Sequence, residues 1–599
     1  MIGKKWLDLL SALILPGIAL LIYWPSFSVP FHFDDLESIV KNPYLRISDF
    51  SPDSILSAAF QDWKHNRPLT NLSLALNFYF HQLHPFGYHL VNFLFFVFTA
   101  FGIRLALGKL FLKLGYARPR AKLASWLAAL VWLAHPLNTQ AVTYIVQRHS
   151  SMAGAFAVWS IYFYQLGKDR SKKGFWFFCL SGLFGLLAML SKETALTLPL
   201  MIFLFDLYFY QDLPKPLVRR NWKWISALAL FYFLAAILLF RPGMASKLAA
   251  DFGPQAISFG QRIFLEPEVL ICYALLMIFP FPQFLSLEHY FTFSRSGLDL
   301  AIGLVSWLIL LSVILLALIR ARKWRIFSFA VIWYFGQLAV EAMPLPIDLA
   351  NEHRLYLALL SLLAPAAAIP ILRLRKNRLA VVWILTVLAF FCVFTLSRNL
   401  VWKSRESLWK DAVQKAPGLP RAWNNYCAAL SEAGKCESAI RVCQKALSLS
   451  PGLADAHNSL GICYFQAGKF ESAEQEFFKA GELGDEKYGI PFFNLGLLSG
   501  KRGDFETAIK WYLRALEKNP LDPGAHYNLA LAYRRLNRED DYLKELGEAV
   551  RARPEWMEAR LKLAQALAEK GECPKALELI RSAPAPDPSF KQILNACPP

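Results

Sequence analysis

The chain of 599 residues is 55% hydrophobic and only 18% charged, with a mean hydropathy of +0.33. A soluble domain has about 25% charged residues, so the composition points away from a soluble protein and excludes a disordered or collagen-like one. The formal net charge of +19 lies entirely in the first 418 residues, because 419–599 holds 24 basic and 24 acidic residues. The basic residues of the first 418 positions cluster between apolar runs, which indicates a polytopic membrane protein and no nucleic-acid partner.

Eleven apolar stretches in the first half are long enough to cross a bilayer. They start near Trp6, Tyr88, Leu123, Ser151, Phe175, Ala195, Trp222, Asp299, Ile326, Leu355 and Leu379. Placing the six basic clusters between them in the cytoplasm gives one consistent topology, with the N-terminus inside and the C-terminus outside. The compact chain favours the bacterial inner membrane, with the second half in the periplasm; in a eukaryote it would face the lumen.

Two segments allow a second interpretation. Leu265–Pro282 is apolar enough for a twelfth span, but counting it would place Arg320–Arg325 outside. Its residues Pro267, Pro280 and Pro282 favour a broken, re-entrant or interfacial element in an external loop. The first span could be a cleaved signal peptide, yet its apolar run is long and no A-x-A site follows, so we predict an uncleaved anchor.

The second half repeats itself with a period of 34 or 35 residues. Small packing residues recur at Cys427, Gly461, Gly496, Ala530 and Ala564. This is the tetratricopeptide pattern of two antiparallel helices per repeat, and five repeats exceed the three or so that a stable stack needs. Tyr542 occupies a small-residue position, so we expect a distorted fourth repeat. Such a stack offers a concave surface to a peptide or protein.

The sequence therefore predicts an all-α protein. A multi-pass membrane domain at 1–397 is followed by a connecting helix at 398–420, tetratricopeptide repeats at 421–588 and a tail at 589–599. Six of the nine cysteines lie in the second half of the chain. Cys427 takes a packing position, so a buried free thiol is expected there, and Cys573–Cys597 is the exposed alternative for a disulfide.

The predicted topology brings several polar clusters to the same external side, where they are candidates for function. They are Asp34-Asp35, Arg67-Pro68-Leu69, His135–Arg148, Lys192-Glu193 and Glu352-His353-Arg354. The topology was assigned from basic clusters elsewhere, so this convergence is an independent observation.

Each cluster has a chemical and a structural interpretation. Adjacent carboxylates at Asp34 and Asp35 raise each other's proton affinity, which suits a general base, but they could equally cap a helix. A phosphate-binding Lys or Arg would belong at this edge, whereas Lys192-Glu193 could be a surface ion pair and Glu352-His353-Arg354 a helix cap. The histidines are isolated and no metal-binding spacing occurs.

In chain order the motifs read D-D, R-P-L-T with F-G-Y-H-L-V-N, H-P-x-x-T-x-A-V-x-Y-x-x-x-R, S-K-E-T-A and E-H-R-L-Y, followed by the repeats. With them the sequence resembles the transmembrane and tetratricopeptide repeat-containing protein O-mannosyltransferases and their bacterial relatives, which are similar to the C-type glycosyltransferases. One departure is Gln140, where the third motif often has Glu, which puts a catalytic role there in doubt. The W-W-D-Y-G signature of oligosaccharyltransferases is absent, which argues against en bloc glycan transfer.

The resemblance implies a role for each matched residue. Asp34 or Asp35 would activate the acceptor hydroxyl. The cations Arg148, Lys192 and Arg354 would contact phosphate. The carboxylates Glu193 and Glu352 would orient those cations. Arg67, His135 and His353 complete the predicted substrate-binding set.

The predicted function is transfer of a sugar from a polyprenyl-phosphate donor to an acceptor, a protein hydroxyl by preference, on the external face. The repeats would recruit the acceptor or another protein, and membrane lipid is a further partner. No cofactor is predicted, and a divalent metal is left open. The alternative is a non-catalytic membrane-anchored scaffold for envelope or polysaccharide assembly. A transporter is disfavoured because the ionisable residues gather at one face rather than at the bilayer midplane.

Overall fold

The computed structural model describes residues 2–61, 67–169, 174–213, 217–239, 258–291, 297–342, 348–361, 371–372, 377–485, 488–583 and 590–597. These residues form helices and turns without a strand, which confirms the all-α class. The chain divides into two compact units, Met1–Lys415 and Ala416–Pro599. The division falls within the predicted connector at 398–420.

The first unit contains the helices that we number α1 to α16. They are α1 (Ile2–Tyr23), α2 (Pro52–Phe60), α3 (Pro68–His81), α4 (Pro85–Lys113), α5 (Arg118–Ala134), α6 (Asn138–Thr143), α7 (Arg148–Asp169), α8 (Gly174–Ser191), α9 (Leu198–Phe209), α10 (Leu217–Leu239), α11 (Phe259–Ile278), α12 (Gly297–Ile319), α13 (Arg325–Leu338), α14 (Leu355–Ala358), α15 (Asn377–Val401) and α16 (Arg405–Lys415). Proline opens α2, α3 and α4, where its missing N–H costs no helical hydrogen bond.

Within the described residues, four helices are long and apolar enough to cross a membrane. They are Pro85–Lys113, Gly174–Ser191, Gly297–Ile319 and Arg378–Val401. A helix or helical turn also lies at each of the eleven predicted starting points. The structure thus agrees with a membrane protein, while eleven crossings and their orientation remain predictions.

A break at Pro267 does not occur, because α11 runs without interruption from Phe259 to Ile278 with Pro267 inside it; the helix ends at Ile278, before Pro280 and Pro282, and its placement in an external loop stays a prediction. Proline removes the N–H that would bond the carbonyl four residues earlier. Here the indole N–H of Trp307, on α12, donates to that Ile263 carbonyl at 2.9 Å. The neighbouring helix therefore satisfies the acceptor that Pro267 leaves open.

Helix α7 packs between α4 and α8. The hydroxyls of Ser160 and Ser181 each donate to the other residue's carbonyl, at 2.7 and 2.9 Å, and lock α7 to α8. A side chain at Gly154 would meet the ring of Tyr356 at 2.5 Å. Glycine at this position therefore lets the E-H-R-L-Y segment lie directly against α7.

The second unit consists of five helix pairs and a short final helix. They are α17 (Pro420–Glu432), α18 (Cys436–Leu449), α19 (Ala454–Gln466), α20 (Phe470–Leu483), α21 (Ile490–Lys501), α22 (Phe505–Lys518), α23 (Pro523–Arg535), α24 (Glu539–Ala552), α25 (Met557–Glu569), α26 (Cys573–Arg581) and α27 (Lys591–Ala596). Glycine with positive φ ends the first helix of four repeats, and Asn537, at φ 56°, replaces it in the fourth. Asparagine is among the few residues that tolerate this conformation.

Tyr542 does not distort the fourth repeat. It is fully buried within the continuous helix α24, and its hydroxyl accepts a hydrogen bond from Arg534 at 2.9 Å. The expected free thiol at Cys427 is wrong too, since Cys427 forms a disulfide with Cys443. The alternative pair, Cys573–Cys597, is also disulfide-bonded.

Candidate functional site

The two adjacent aspartates of the first loop have different surroundings. Asp35 is buried, and its two carboxylate oxygens accept the backbone N–H groups of His32 at 2.9 Å and Val146 at 2.7 Å. Asp34 is exposed, and its own N–H donates to the hydroxyl of Tyr144 at 2.8 Å. Asp35 therefore holds the loop in place, while Asp34 is exposed and its side chain interacts with the hydroxyl of Tyr144.

Burial is the main reason why the pKa of Asp35 is raised to about 8. The N–H groups of His32 and Val146 lower it, and the neighbouring Asp34 adds a smaller upward contribution. Mutual repulsion of the pair, on which the sequence argument relied, is thus secondary to desolvation.

The R-P-L-T and S-K-E-T-A motifs contact each other directly. Arg67 forms a two-pronged ion pair with Glu193, with Nε to Oε2 at 2.9 Å and Nη2 to Oε1 at 2.6 Å. The hydroxyl of Thr70 donates to the Ser191 carbonyl at 3.0 Å. Burial raises the pKa of Glu193, but Arg67 and Lys192 together lower it to about 2, so this carboxylate is ionised.

Lys192, the neighbour of Glu193, turns into the protein instead. Its Nζ lies 2.7 Å from Oε1 of Glu341 and donates to the hydroxyl of Ser150 at 3.2 Å. Tyr144 and Val146 contact the aspartate pair and Ser150 contacts Lys192. The short stretch 144–150 therefore connects the acidic loop to the buried lysine.

Lys192 and Arg354 line one small cavity of about 30 Å³, which we call the polar cavity. Its polar lining includes Ser150, Lys192, Thr194, Gln337, Glu341, His353 and Arg354. Arg354 donates to the carbonyls of Leu349 at 2.9 Å and Asp348 at 2.5 Å. Burial lowers the pKa of His353, and the nearby cations lower it further, so His353 is neutral.

A second cavity of about 110 Å³ lies along the same helix faces, and we call it the apolar cavity. On α7, Ser150, Gly154 and Ala157 line the polar cavity, and Val158, Ile161 and Gln165 continue that stripe into the apolar one. On α13, Gln337 lines the polar cavity, whereas Trp333, Ala330 and Ile326 line the apolar one. Spacings of three and four residues keep each set on one face of its helix.

The E-H-R turn, a 3₁₀ turn at Glu352–Arg354, is tied to the third motif by Gln140. The side-chain carbonyl of Gln140 accepts the His353 N–H at 3.3 Å, and its amide donates to the Ser286 carbonyl at 2.9 Å. Glu352 accepts the Ser286 N–H at 2.6 Å. Oε1 of Glu352 thus binds the loop that follows α11, and, contrary to expectation, Glu352 does not orient Arg354.

Two predicted substrate-binding residues have structural partners instead. Arg148 is fully buried, where it donates to Asn92 at 2.8 Å, to Ser73 at 3.1 Å and to the Tyr88 carbonyl at 2.8 Å. His135 is equally buried against the Met277 carbonyl at 3.2 Å. Neither of them lines the polar cavity.

Sequence reasoning missed Glu341, Tyr144 and His289. Glu341 is an ionisable residue just after the apolar helix α13, a signal that could have been noticed. Tyr144 lay within the third motif without an assigned role. His289, which contacts Glu352 at 3.2 Å, carried no signal of its own. Among the described residues, no group of three or more His, Cys, Asp or Glu side chains is placed to hold a metal ion.

Comparison with known proteins confirms the repeats. Family models described as "TPR repeat" and "Tetratricopeptide repeat" match residues 500–537, 430–485 and 543–589. Among solved structures, "Crystal structure of YrrB: a TPR protein with an unusual peptide-binding site" is 24% identical, covers 31% of this chain and 96% of that one, and gives a TM-score of 0.26. "Crystal structure of MamA" is 23% identical, covers 26% and 90%, and gives 0.23.

The chain is also similar to proteins named "Protein O-mannosyl-transferase". Human TMTC3 is 28% identical over 35% of this chain and 23% of the relative, and human TMTC4 is 30% identical over 33% and 29%. Drosophila melanogaster Tmtc3 is 25% identical over 74% of this chain and 55% of the relative. The matched part thus spans about a quarter to a half of these relatives. The resemblance inferred from the motifs is confirmed: this is a TMTC-like chain with membrane-type helices and tetratricopeptide repeats.

Proposed function

We propose that the chain is a membrane glycosyltransferase that transfers a sugar from a polyprenyl-phosphate donor to a hydroxyl acceptor. The relatives named above are O-mannosyltransferases by name, which supports this class of reaction. The observation that carries the proposal is that the polar and the apolar cavity follow one another along α7 and α13. A polar cavity followed by an apolar one matches an amphiphile with an anionic head and a hydrocarbon tail.

The polar cavity suits a phosphate. Among the lining residues, Lys192 and Arg354 supply two positive charges and Glu341 one negative charge, while His353 is neutral, so the lining carries one net positive charge. The two carbonyls that Arg354 contacts take two of its five N–H donors. The remaining donors and the Lys192 ammonium can stabilise charge that develops on a departing phosphate.

The apolar cavity suits the lipid part of the donor. The stripe from Ser150 to Gln165 runs along about 22 Å of α7 at 1.5 Å per residue. The residues that line the apolar cavity are aliphatic or aromatic apart from Gln165 and Ser361. A hydrocarbon chain that follows this stripe leaves its phosphate beside Lys192, at the end where the acidic loop is connected.

Of the two aspartates, Asp34 is the proposed base. Asp35 uses both oxygens to hold backbone N–H groups, whereas Asp34 is exposed. In the proposed step, the acceptor oxygen attacks the anomeric carbon as Asp34 takes its proton, and the bond from that carbon to the phosphate oxygen breaks. A single displacement inverts the configuration. The repeats would present a protein acceptor on the periplasmic or luminal side.

The test is transfer of labelled sugar from a panel of polyprenyl-phosphate hexoses by the purified full chain in nanodiscs. Asp34→Asn should lower the rate by at least ~10²-fold, the usual contribution of a general base. Asp53→Asn, an exposed acid of the same loop, is the matched control and should keep wild-type activity. Lys192→Met should weaken binding of polyprenyl phosphate itself.

Two results would contradict the proposal. Full activity of Asp34→Asn would remove Asp34 as the base. Wild-type protein that neither transfers nor hydrolyses any donor, although it melts cooperatively, would instead favour the membrane-anchored scaffold.

A further inference from the structure

The three residues of the E-H-R turn serve different cavities. His353 and Arg354 line the polar cavity, but Glu352 contacts the loop after α11, which lines another one. This third cavity measures about 560 Å³, and we call it the aromatic cavity. Its walls include Phe279, Phe284, Ser286, His289 and Tyr290.

Glu352 fixes the orientation of His289. Oε1 of Glu352 accepts the Ser286 N–H at 2.6 Å and lies 3.2 Å from Nε2 of His289. A carboxylate carries no hydrogen to donate, so Nε2 of His289 must carry the proton. In the neutral imidazole, Nδ1 is then an acceptor. The other oxygen of Glu352 is buried without a hydrogen-bond partner among the described residues, so the carboxylate is not drawn away from His289.

The loop that carries His289 is also held from a second side. The ammonium of Lys415, the last residue of the first unit, donates to the carbonyls of Pro282 at 2.7 Å and Leu285 at 2.6 Å. Glu352 and Lys415 therefore hold the loop at two points. Glu352 contacts His289, 63 residues away in sequence, and Lys415 contacts Leu285, 130 residues away. A histidine on a loop fixed in this way can present one nitrogen to a ligand at a defined position.

We propose that the aromatic cavity binds the acceptor, a peptide segment with a Ser or Thr hydroxyl flanked by apolar side chains, and that Nδ1 of His289 accepts a hydrogen bond from a backbone N–H of this segment, which leaves the hydroxyl proton for Asp34. The aromatic rings would pack on the flanking side chains, as apolar pockets with a few placed polar groups do for other ligands. Glu352 is then a positioning residue that acts through His289. This inference rests on the proposed function, but binding of the peptide in the aromatic cavity can be tested separately from sugar transfer.

The first experiment separates acceptor use from donor use. Transfer to a synthetic peptide with one central Thr between apolar residues is measured beside donor hydrolysis without peptide. His289→Ala should raise the KM for the peptide at least tenfold and change donor hydrolysis less than twofold. Glu352→Gln should have a smaller effect on the same KM, and His84→Ala, a histidine of the first loop, should have none.

The second experiment needs no catalysis. The same peptide with a benzophenone side chain beside the Thr is photo-crosslinked to the full chain in nanodiscs, and the labelled segment is identified by mass spectrometry. We expect labelling within 272–291, reduced severalfold in His289→Ala. Labelling elsewhere, or equal losses of transfer and hydrolysis in His289→Ala, would overturn the acceptor site. Absence of both transfer and hydrolysis in wild type would instead overturn the proposed function, and the crosslink would still decide the cavity.

Discussion

One hydrogen bond recurs along the tetratricopeptide unit and makes its stability depend on pH. In four of the five repeats, the side chain four residues before the small packing position donates to the proline carbonyl six residues earlier in the chain. The pairs are Trp423 with Pro417 at 2.8 Å, His457 with Pro451 at 3.1 Å, His526 with Pro520 at 3.1 Å, and Arg560 with Pro554 at 3.0 Å. Each pair ties the turn between repeats to the helix that follows.

His526 can make this bond fully only when it is charged. Its Nδ1 lies 2.6 Å from the Glu545 carboxylate and its Nε2 lies 3.1 Å from the Pro520 carbonyl. Both partners are acceptors, so both ring nitrogens must carry hydrogen. Burial lowers the pKa of His526, but the bonds to Glu545 and Pro520 outweigh it, and the net pKa is raised above the usual 6.5.

The sign of the pH dependence follows from this shift. A histidine with a raised folded-state pKa contributes its full stability below the unfolded pKa of about 6.5 and loses it as pH rises through the folded value. Deprotonation removes one hydrogen, so one of the two bonds is lost. A hydrogen bond to a charged group contributes about 2 kcal/mol, which equals roughly a 30-fold change in the opening equilibrium.

Amide hydrogen exchange of the full chain measures this opening locally. Protection of the segment 520–552, corrected for intrinsic exchange, should fall by roughly 30-fold between pH 6 and pH 9. His526→Arg is the informative variant, because Arg560 makes the same bond with a permanent charge in the last repeat. It should remove the pH dependence of this segment.

The reasoning would be refuted by equal protection of the segment at both pH values in wild type. A pH slope that persists in His526→Arg would also refute it, since the titrating group would then lie elsewhere. Segments of the third repeat, which lacks a histidine at this position, provide the internal control.

Three further predictions concern packing, turns and thiols. Trp307→Phe should lower the free energy of unfolding by about 1 kcal/mol in wild type. In a Pro267→Ala background it should lower it little, because residue 267 regains an N–H for the Ile263 carbonyl. A double-mutant cycle of thermal unfolding measures the difference. Asn537→Gly should stabilise the chain by a few tenths of a kcal/mol, whereas Gly503→Ala should destabilise it by about 1 kcal/mol, because both positions have positive φ. Alkylation of the denatured chain should label five cysteines without reduction and nine after it, whereas seven labelled without reduction would show that one of the two disulfides is missing. The five are Cys179, Cys272, Cys392, Cys436 and Cys463.

The repeats could be predicted from the sequence because their packing is local. Each small residue contacts the paired helix a fixed distance along the chain, so a period of 34 residues specifies the fold. The disulfide at Cys427 escaped the same reasoning. A buried free thiol and a buried half-cystine both suit a packing position, and only the placement of Cys443 on the opposite helix distinguishes them.

The residues of the candidate site were predictable in part. Topology alone brought Arg67, Lys192 and Glu193 to one edge, and the structure joins their segments. The sequence could not show that the guanidinium of Arg148 donates to backbone and side-chain acceptors of α3 and α4. An arginine that binds phosphate would stand at the same position of the third motif. The sequence also could not pair Lys192 with Glu341, because that contact joins residues 149 positions apart.

The E-H-R motif shows why adjacency in sequence is a poor guide to shared chemistry at a tight turn. A 3₁₀ turn has three residues per turn, so successive side chains point about 120° apart. Glu352 therefore faces the aromatic cavity's loop while His353 and Arg354 face the polar cavity. Such a turn can stand between two ligands and contact the surroundings of both. If the two cavities hold donor and acceptor, a single change at Glu352 should affect acceptor use without weakening the phosphate contacts of Arg354.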